Sequence, residues 1–448
     1  MSKPTLDPMK DIFVIPLSKN RYMVYAPKDR LIFSTDKESL PKLSALYKSL
    51  AEESKKKIKR KIRKTGRRKK TKISKLVGVT GVTLCPTTDC NLRCVYCYAS
   101  GGERKKYMDW KLAKAAIDFA LSRSKKSKRF SLGFHGGGEP FMAFDLMKKS
   151  VEYAKKRCKN HKMKMVLSSA TNGVLTDKQL DWVIKNKMRL NVSIDGMPDI
   201  QNKLRPLPNK GESYPFVEKT IRRLVKEKVP FGVRSTITKD TVHKMKDIVE
   251  YFHKMGIKTI HFEPAFECGR CLKTKTATPE PLVFFKNYIK AFEAAEKFGI
   301  EFYYSGGTID KLTDTFCGAA GRNFFVTSDG YITSCLEVMH KDDPASKIFF
   351  YGKYDERGGN FRIYEKRLKL LVSRNIKNLE GCQSCFCKFH CAGDCLVKAW
   401  RETGSLFETG TERCIVNRKA VKYVLLRYLK GKPIKMKNFG MARKVEIV

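Results

Sequence analysis

No stretch of this 448-residue chain is apolar for long enough to span a bilayer, so no membrane partner is expected. The opening residues, MSKPTLDPMKDIFV, lack the apolar run and small-residue cleavage site of a secretory signal, and the expected compartment is the cytoplasm. No period of 20 to 50 residues recurs, which argues against a solenoid or propeller. Acidic residues are scarce: 45 Asp and Glu against 92 Lys and Arg leave a formal charge of +47. The excess peaks at Lys55 to Lys70, KKKIKRKIRKTGRRKK, where no aromatic residue interleaves the charges for base stacking. A solvated linker is therefore favoured over a nucleic-acid site, which the basic run still leaves open, and an acidic peptide is a third partner that fits the charge. A closed disulfide framework is also missing, since fifteen cysteines is an odd number and disulfides are rare in a reducing compartment. Metal or cluster ligation is the better use for that many thiols.

What is present divides into five stretches. Residues 1–53 read as a small unit with a strand pair, DIFVIPL and YMVYAP, turning at Ser18-Lys19-Asn20. A helical pattern follows through Leu40, Leu43, Leu46 and Tyr47. Residues 54–76 are the basic linker. Over 77–300, apolar strands starting at Val79, Phe130, Met163, Arg189, Phe231 and Lys258 alternate with amphipathic helices. One of these helices, through Val242, Met245, Ile248, Val249 and Phe252, is stopped by Gly256. Six such units predict an α/β fold, a partial (β/α)6 barrel of parallel strands with its chemistry in the loops after the strands. Residues 301–425 form a small, loop-rich, cysteine-rich C-terminal domain, expected to fold around metal more than around an apolar core, and 426–448 a basic tail.

The loop after the first barrel strand reads CPTTDCNLRCVYCYA, with Cys90, Cys94 and Cys97 spaced C-x3-C-x2-C. Three thiolates on one loop can hold three irons of a [4Fe–4S] cluster and leave the fourth open to a ligand. Structural zinc is the competing reading of such spacings, although three ligands close a tetrahedral site poorly. One βα unit later the chain reads GFHGGGEP, containing Gly137, Gly138 and Glu139.

These motifs resemble the signature of the radical S-adenosylmethionine superfamily. The resemblance implies a [4Fe–4S] cluster on Cys90, Cys94 and Cys97, with the Gly137-Gly138-Glu139 segment at the amino group of the methionine moiety. It further implies Ser193 and Arg234 as cofactor contacts, the latter a bidentate partner for a carboxylate, and Tyr96 against the adenine edge. Ser193 as a cap, Arg234 as an ion-pair partner and Tyr96 as a core aromatic stand beside those roles. The implied chemistry is reductive cleavage of S-adenosylmethionine to methionine and a 5′-deoxyadenosyl radical that abstracts hydrogen from substrate, under anaerobic conditions and with a ferredoxin- or flavodoxin-type electron donor.

Farther on, Cys317, Cys335, Cys382, Cys385, Cys391, Cys395 and Cys414 follow the pattern of the SPASM extension of that superfamily, which holds two auxiliary clusters. By that resemblance Cys382, Cys385, Cys391 and Cys414 hold the outer cluster, and Cys317, Cys335 and Cys395 the inner one. The inner cluster is then one ligand short, because Asn323 stands where some relatives carry a further cysteine. Either the fourth iron is open or another residue fills it, with Cys268 and Cys271 of the ECGRC segment as candidates. Cys85 and Cys158 read as buried apolar thiols.

SPASM-type enzymes act mostly on peptides and proteins, so crosslinking or epimerisation of a peptide side chain is the leading expectation. Anaerobic sulfatase maturases carry Asp directly after the inner-cluster cysteine, whereas Leu336 follows Cys335 here and Glu337 comes next. The N-terminal unit fits part of a leader-peptide recognition module working by strand addition, or a cap on the barrel. A tetrapyrrole-modifying enzyme, formylglycine formation, and a non-enzymatic iron–sulfur scaffold or nucleic-acid-binding protein are the alternatives.

Overall fold

The computed structural model describes residues 11–28, 31–42, 79–124, 127–307 and 312–432, together with the backbone of 446–447. The basic run and most of the 40–47 helical pattern lie outside the described residues. Of that pattern, only a single 3-10 turn, Leu40–Lys42, is described.

The N-terminal unit is a meander of β1 (Phe13–Pro16), β2 (Arg21–Ala26) and β3 (Leu31–Asp36), extended by a parallel β15 (Glu446–Ile447). Sequence reading found two of these strands. The third, LIFSTD, has only half an alternating pattern: Leu31, Ile32 and Phe33 are all buried. Both faces of the meander carry apolar residues. Phe13, Ile15, Met23, Tyr25 and Ile32 join the main core, while Ile12, Val24, Ala26, Leu31 and Phe33 form a second small cluster.

The barrel strands are β4 (Gly81–Leu84), β5 (Arg129–Phe134), β6 (Lys164–Thr171), β7 (Arg189–Ser193), β8 (Phe231–Ile237) and β9 (Thr259–Pro264). All six are parallel and hydrogen-bonded in sequence order, as the alternation of strands and helices predicted. Local chemistry fixes the connections. Asp109 caps the helix Trp110–Arg123 by accepting from Leu112 N, and Thr176 with Gln179 forms a capping box before Asp177–Lys185. Met245, Ile248, Val249 and Phe252 are buried along one face of the helix Met245–Lys254, and Gly256 terminates that segment at φ +82°. Phe130, Leu132, Phe134, Val192 and Phe262 lie within the core at no more than 1% exposure; each contributes roughly 1.5–3 kcal/mol of burial.

The sheet does not end with the sixth strand. On one side β10 (Glu301–Tyr303) adds parallel to β9. On the other, β11 (Phe325–Val326) adds parallel to β4, followed by antiparallel β12 (Tyr331–Thr333), β13 (Phe350–Asp355) and β14 (Asn360–Ile363). Among the described residues β10 and β14 are the edges of this eleven-stranded sheet, so the barrel is open. The C-terminal region thus shares the barrel's sheet and its apolar core: Phe324, Val326, Ile332, Phe349, Tyr351 and Leu371 all belong to the main cluster. The expectation that metal would largely replace a core there is corrected accordingly.

Candidate active site at the barrel mouth

The chain leaves β4 at Cys85 and turns back on itself before the next helix. Thr88 N donates to Lys106 O at 2.9 Å, Met108 N to Pro86 O at 2.8 Å, and Thr87 Oγ1 to Lys106 O at 2.7 Å. Inside this closed loop lie Cys90, Cys94 and Cys97, each half-buried and each free of disulfides. Every one of the three sulfurs faces an N–H donor. Asn172 Nδ2 approaches Cys90 Sγ at 3.8 Å, Arg205 Nη1 approaches Cys94 Sγ at 3.9 Å, and Gly101 N approaches Cys97 Sγ at 3.4 Å. Donors of this kind stabilise cluster-bound thiolates and tune their potential. Burial, the largest cause, against which Arg205 pulls down, leaves the Cys94 thiol pushed up to about 11, and burial with the neighbouring Cys94 and Glu139 charges raises that of Cys90 further, so as bare thiols both are held protonated. Among the described residues no three His, Cys, Asp or Glu side chains converge on one point that would hold a single metal ion. Cubane ligands bind different irons and need no such convergence. The donor set therefore fits a [4Fe–4S] cluster.

The Gly137-Gly138-Glu139 segment packs on this loop. A Cβ at Gly138 would lie 1.9 Å from Asp89 O, and Gly137 has φ +68°. Glu139 N donates to Asp89 O at 2.8 Å and Gly138 N to Thr87 O at 3.0 Å. The glycines are required by this backbone contact. Glu139 is 2% exposed, and its carboxylate accepts from Phe141 N, Thr171 Oγ1 and Asn172 N at 3.2, 2.9 and 2.6 Å. It orients Asn172, whose amide reaches Cys90, so the carboxylate is committed to protein donors. Burial pushes its pKa up to about 7 despite those bonds.

Ser193 and Arg234 are register partners on β7 and β8. Ser193 is half-buried and Arg234 exposed, and the Arg234 charge is felt by Tyr98 and by His135. His135, which follows β5, has a buried Nδ1 with no partner; burial first and Arg234 second lower its pKa to about 4, leaving it neutral. Tyr96 lies under the Arg205 guanidinium at 5.2 Å and bonds through its hydroxyl to Asp195. Asp195 in turn grips Arg205 bidentately at 2.9 and 3.0 Å. Asn172, His135 and the Asp195–Arg205 pair were not assigned roles from sequence. Their signal was only their place at strand ends, in ATNG, GFHG and SIDG.

The ECGRC segment clamps the same loop. Gly269, at φ +57°, passes so close that a Cβ would sit 2.5 Å from Cys97 O and Tyr98 O. Arg270 N donates to Cys97 O, and its guanidinium to Cys94 O, Gly101 O and Glu103 at 2.8 to 3.0 Å. Cys268 and Cys271 are buried on either side.

The downstream thiols lie in two groups: Cys382 feels Cys385 and Cys414, and Cys391 feels Cys385 and Cys382, while Cys335 feels Cys395 and Cys317. Cys387, outside the seven-cysteine pattern, lies against Cys385 and Cys391 in the first group. Between the two lies Arg374, 1% exposed, whose guanidinium bonds to Leu406 O, Gly393 O and Ala392 O and feels Cys382, Cys391 and Cys395. Asn323 Nδ2 is bonded to Ser334 O at 3.0 Å. Cys158 is buried within the barrel core, in keeping with an apolar role.

Known proteins agree with this architecture. The profile described as the Radical SAM superfamily matches residues 84–252. An uncharacterised protein of Methanocaldococcus jannaschii is 32% identical over 188 residues, covering 42% of this chain and 63% of the relative. A cysteine-type anaerobic sulfatase-maturating enzyme of Clostridium perfringens is 24% identical over 327 residues, covering 67% of this chain and 87% of that enzyme. Among solved structures, a native anSMEcpe with bound AdoMet superposes with a TM-score of 0.62 at 19% identity, over 79% of this chain and 98% of that one. Streptococcus suis SuiB bound to precursor peptide SuiA gives 0.51 at 14% identity, over 90% and 98%. No helix among the described residues is long and apolar enough to cross a membrane.

Proposed function

The chain carries a radical S-adenosylmethionine domain, and we propose that it directs the chemistry of that domain at a side chain of a peptide or protein. When bound, the [4Fe–4S] cluster and S-adenosylmethionine supply a 5′-deoxyadenosyl radical. The protein's part is to hold and shield. Cys90, Cys94 and Cys97 hold the iron, with Asn172, Arg205 and Gly101 N donating to their sulfurs. Backbone of the Gly137–Glu139 segment lies against the cysteine loop, where it can meet an ammonium, and Ser193 with Arg234 offers a polar edge and a cation for a carboxylate.

The observation that carries the reading is the closeness of the two cysteine regions. The segment that follows Cys335 packs on the three-cysteine loop and on the strand end beside it: His340 Nε2 lies 3.1 Å from Ala99 O, and Leu336 and Met339 lie against Gly136. Crosslinking and formylglycine formation are net oxidations that leave one electron to be taken up after hydrogen abstraction, and an inner cluster would serve as its acceptor. Epimerisation is redox-neutral and needs instead a hydrogen-atom donor on the other face of the carbon. The similar solved structures with bound peptides support the substrate class. Crosslinking or epimerisation is the leading reaction. Oxidation of Cys or Ser to formylglycine is the second, supported by the sulfatase-maturating relatives.

Incubation with perdeuterated peptides, S-adenosylmethionine and dithionite tests this. Deuterium is expected in the 5′-deoxyadenosine, and an aldehyde-trapping reagent separates formylglycine from a crosslink. Deuterium arriving from a labelled tetrapyrrole or nucleotide, with none from peptides, would overturn the peptide reading.

A further inference from the structure

Sequence reading left the inner downstream cluster one ligand short, with Cys268 and Cys271 as candidates; Cys271 donates its S–H to Thr276 O at 2.8 Å, and the structure adds Asp394 and Glu337 beside Cys268. The local structure discriminates among them. Asn323, in the place of the missing cysteine, is unsuited, because its amide is spent on Ser334 O and it packs against Gly318. Asp394, beside Cys395, is buried and carries one unpartnered oxygen, but its other oxygen is held by Arg413 Nε at 2.8 Å. Cys268 is buried among charged neighbours, Glu337, Arg401 and Lys398, and belongs to the segment that clamps the catalytic loop.

Glu337 lies two residues after Cys335, at the end of the turn that follows β12, where Val338 N closes on Cys335 O at 3.1 Å. Its Oε2 is fully enclosed and has no hydrogen-bond partner. A buried, unpaired carboxylate oxygen is costly unless a cation meets it. Its carboxylate neighbours the three inner thiols, Cys317, Cys335 and Cys395, and Cys268 as well. Arg401, the nearby guanidinium, reaches the backbone oxygen of Glu337 and gives its strong bond to Asp343 at 2.7 Å.

We propose that Glu337 is the fourth ligand of the inner cluster, its Oε2 binding the iron that Cys317, Cys335 and Cys395 leave open. The inference rests on the auxiliary-cluster reading of the seven downstream cysteines. Carboxylate oxygen is a harder donor than thiolate, so the iron it holds is the one most readily lost or exchanged. The site is thus differentiated without being vacant.

The test uses full-length protein in which Cys90, Cys94 and Cys97 are all alanine, so that any clusters present are the downstream ones. After anaerobic reconstitution, about eight irons per chain are expected, and the electron paramagnetic resonance spectrum of the reduced protein should respond to cyanide only at concentrations high enough to displace the carboxylate. Glu337→Gln in that background should lose about one iron on mild oxidation, with a three-iron signal, and its reduced spectrum should respond to cyanide at far lower concentration. Glu337→Cys should keep the parent's iron content and abolish the response to cyanide, which a merely structural role would not predict. Asp394→Asn should behave as the parent. If Glu337→Gln keeps the parent's iron and spectrum, Glu337 is not the ligand, and loss of an iron from Cys268→Ala would give the place to that thiol. Cyanide binding to the parent as tightly as to Glu337→Gln would equally overturn the proposal. Absence of iron from the parent would instead remove the auxiliary clusters themselves, and the proposal with them.

Discussion

At the scale of the residue, the site is a set of buried polar groups that satisfy one another around three sulfurs. Arg205 is the most heavily committed: it pairs with Asp195, covers Tyr96 and reaches Cys94. Arg205 and Asp195 have side-chain exposures of 8% and 0%. Replacing Arg205 with Leu strands a buried carboxylate and should destabilise the protein by about 3–5 kcal/mol. Adding Asp195→Leu should recover much of that loss, since no lone charge remains. Thermal denaturation of the two variants without cofactor checks this; equal loss in both would contradict the pairing. The three-cysteine motif was legible in the sequence, because its C-x3-C-x2-C spacing stands out. Asn172 and Arg205 were not, because an Asn just past a strand or an Arg at a helix end is common, and only the tertiary approach of the residue after β6 and of the end of the helix Pro198–Leu204 aims them at Cys90 and Cys94. Glu139 was legible as a motif residue. Its carboxylate contacts were hidden, as they depend on β6 lying beside β5.

At the scale of the element, the barrel strands were readable, whereas β3, with three successive buried residues, and the strands of the cysteine-rich region were not. The six barrel strands carry buried residues and alternate with amphipathic helices, so their pattern shows in the chain. β10 and β12 have three residues each and β11 has two, too few to display a period, and their pairing with the barrel is a non-local fact. The N-terminal meander docks on the cysteine-rich region. Asp11 bonds Lys388 at 2.5 Å and also Lys28, Tyr25 Oη bonds His390 Nε2 at 2.6 Å, and Lys422 Nζ donates to Pro16 O. Burial would raise the Asp11 pKa, but the two lysines outweigh it and hold it below the ordinary 3.8. Because the folded value is depressed, this contribution is present above about 3.8 and is lost as the pH falls through the folded pKa. Asp11→Asn should cost about 3–5 kcal/mol at neutral pH by stranding the buried Lys388. The N-terminal unit should then become sensitive to limited proteolysis, and should lose its acid-dependent step. Unchanged proteolysis at neutral pH would show that the ion pair does not hold the meander.

At the scale of the molecule, one sheet carries both redox regions. The barrel and the C-terminal region share strands β4 and β11 side by side, and Glu263 at the end of β9 is held by Arg413 at 2.7 Å, one residue before Cys414. The catalytic loop and the downstream cysteines are thereby fixed relative to each other by hydrogen bonds and a buried ion pair.

The central claim is that Cys90, Cys94 and Cys97 support reductive cleavage of S-adenosylmethionine. Reconstituted protein, mixed anaerobically with S-adenosylmethionine and dithionite, should form 5′-deoxyadenosine and methionine in equal amounts. Cys94→Ala should form none while keeping its fold by circular dichroism. A Cys94→Ala protein that still forms 5′-deoxyadenosine, or a wild-type protein loaded with iron that forms none, would contradict the assignment.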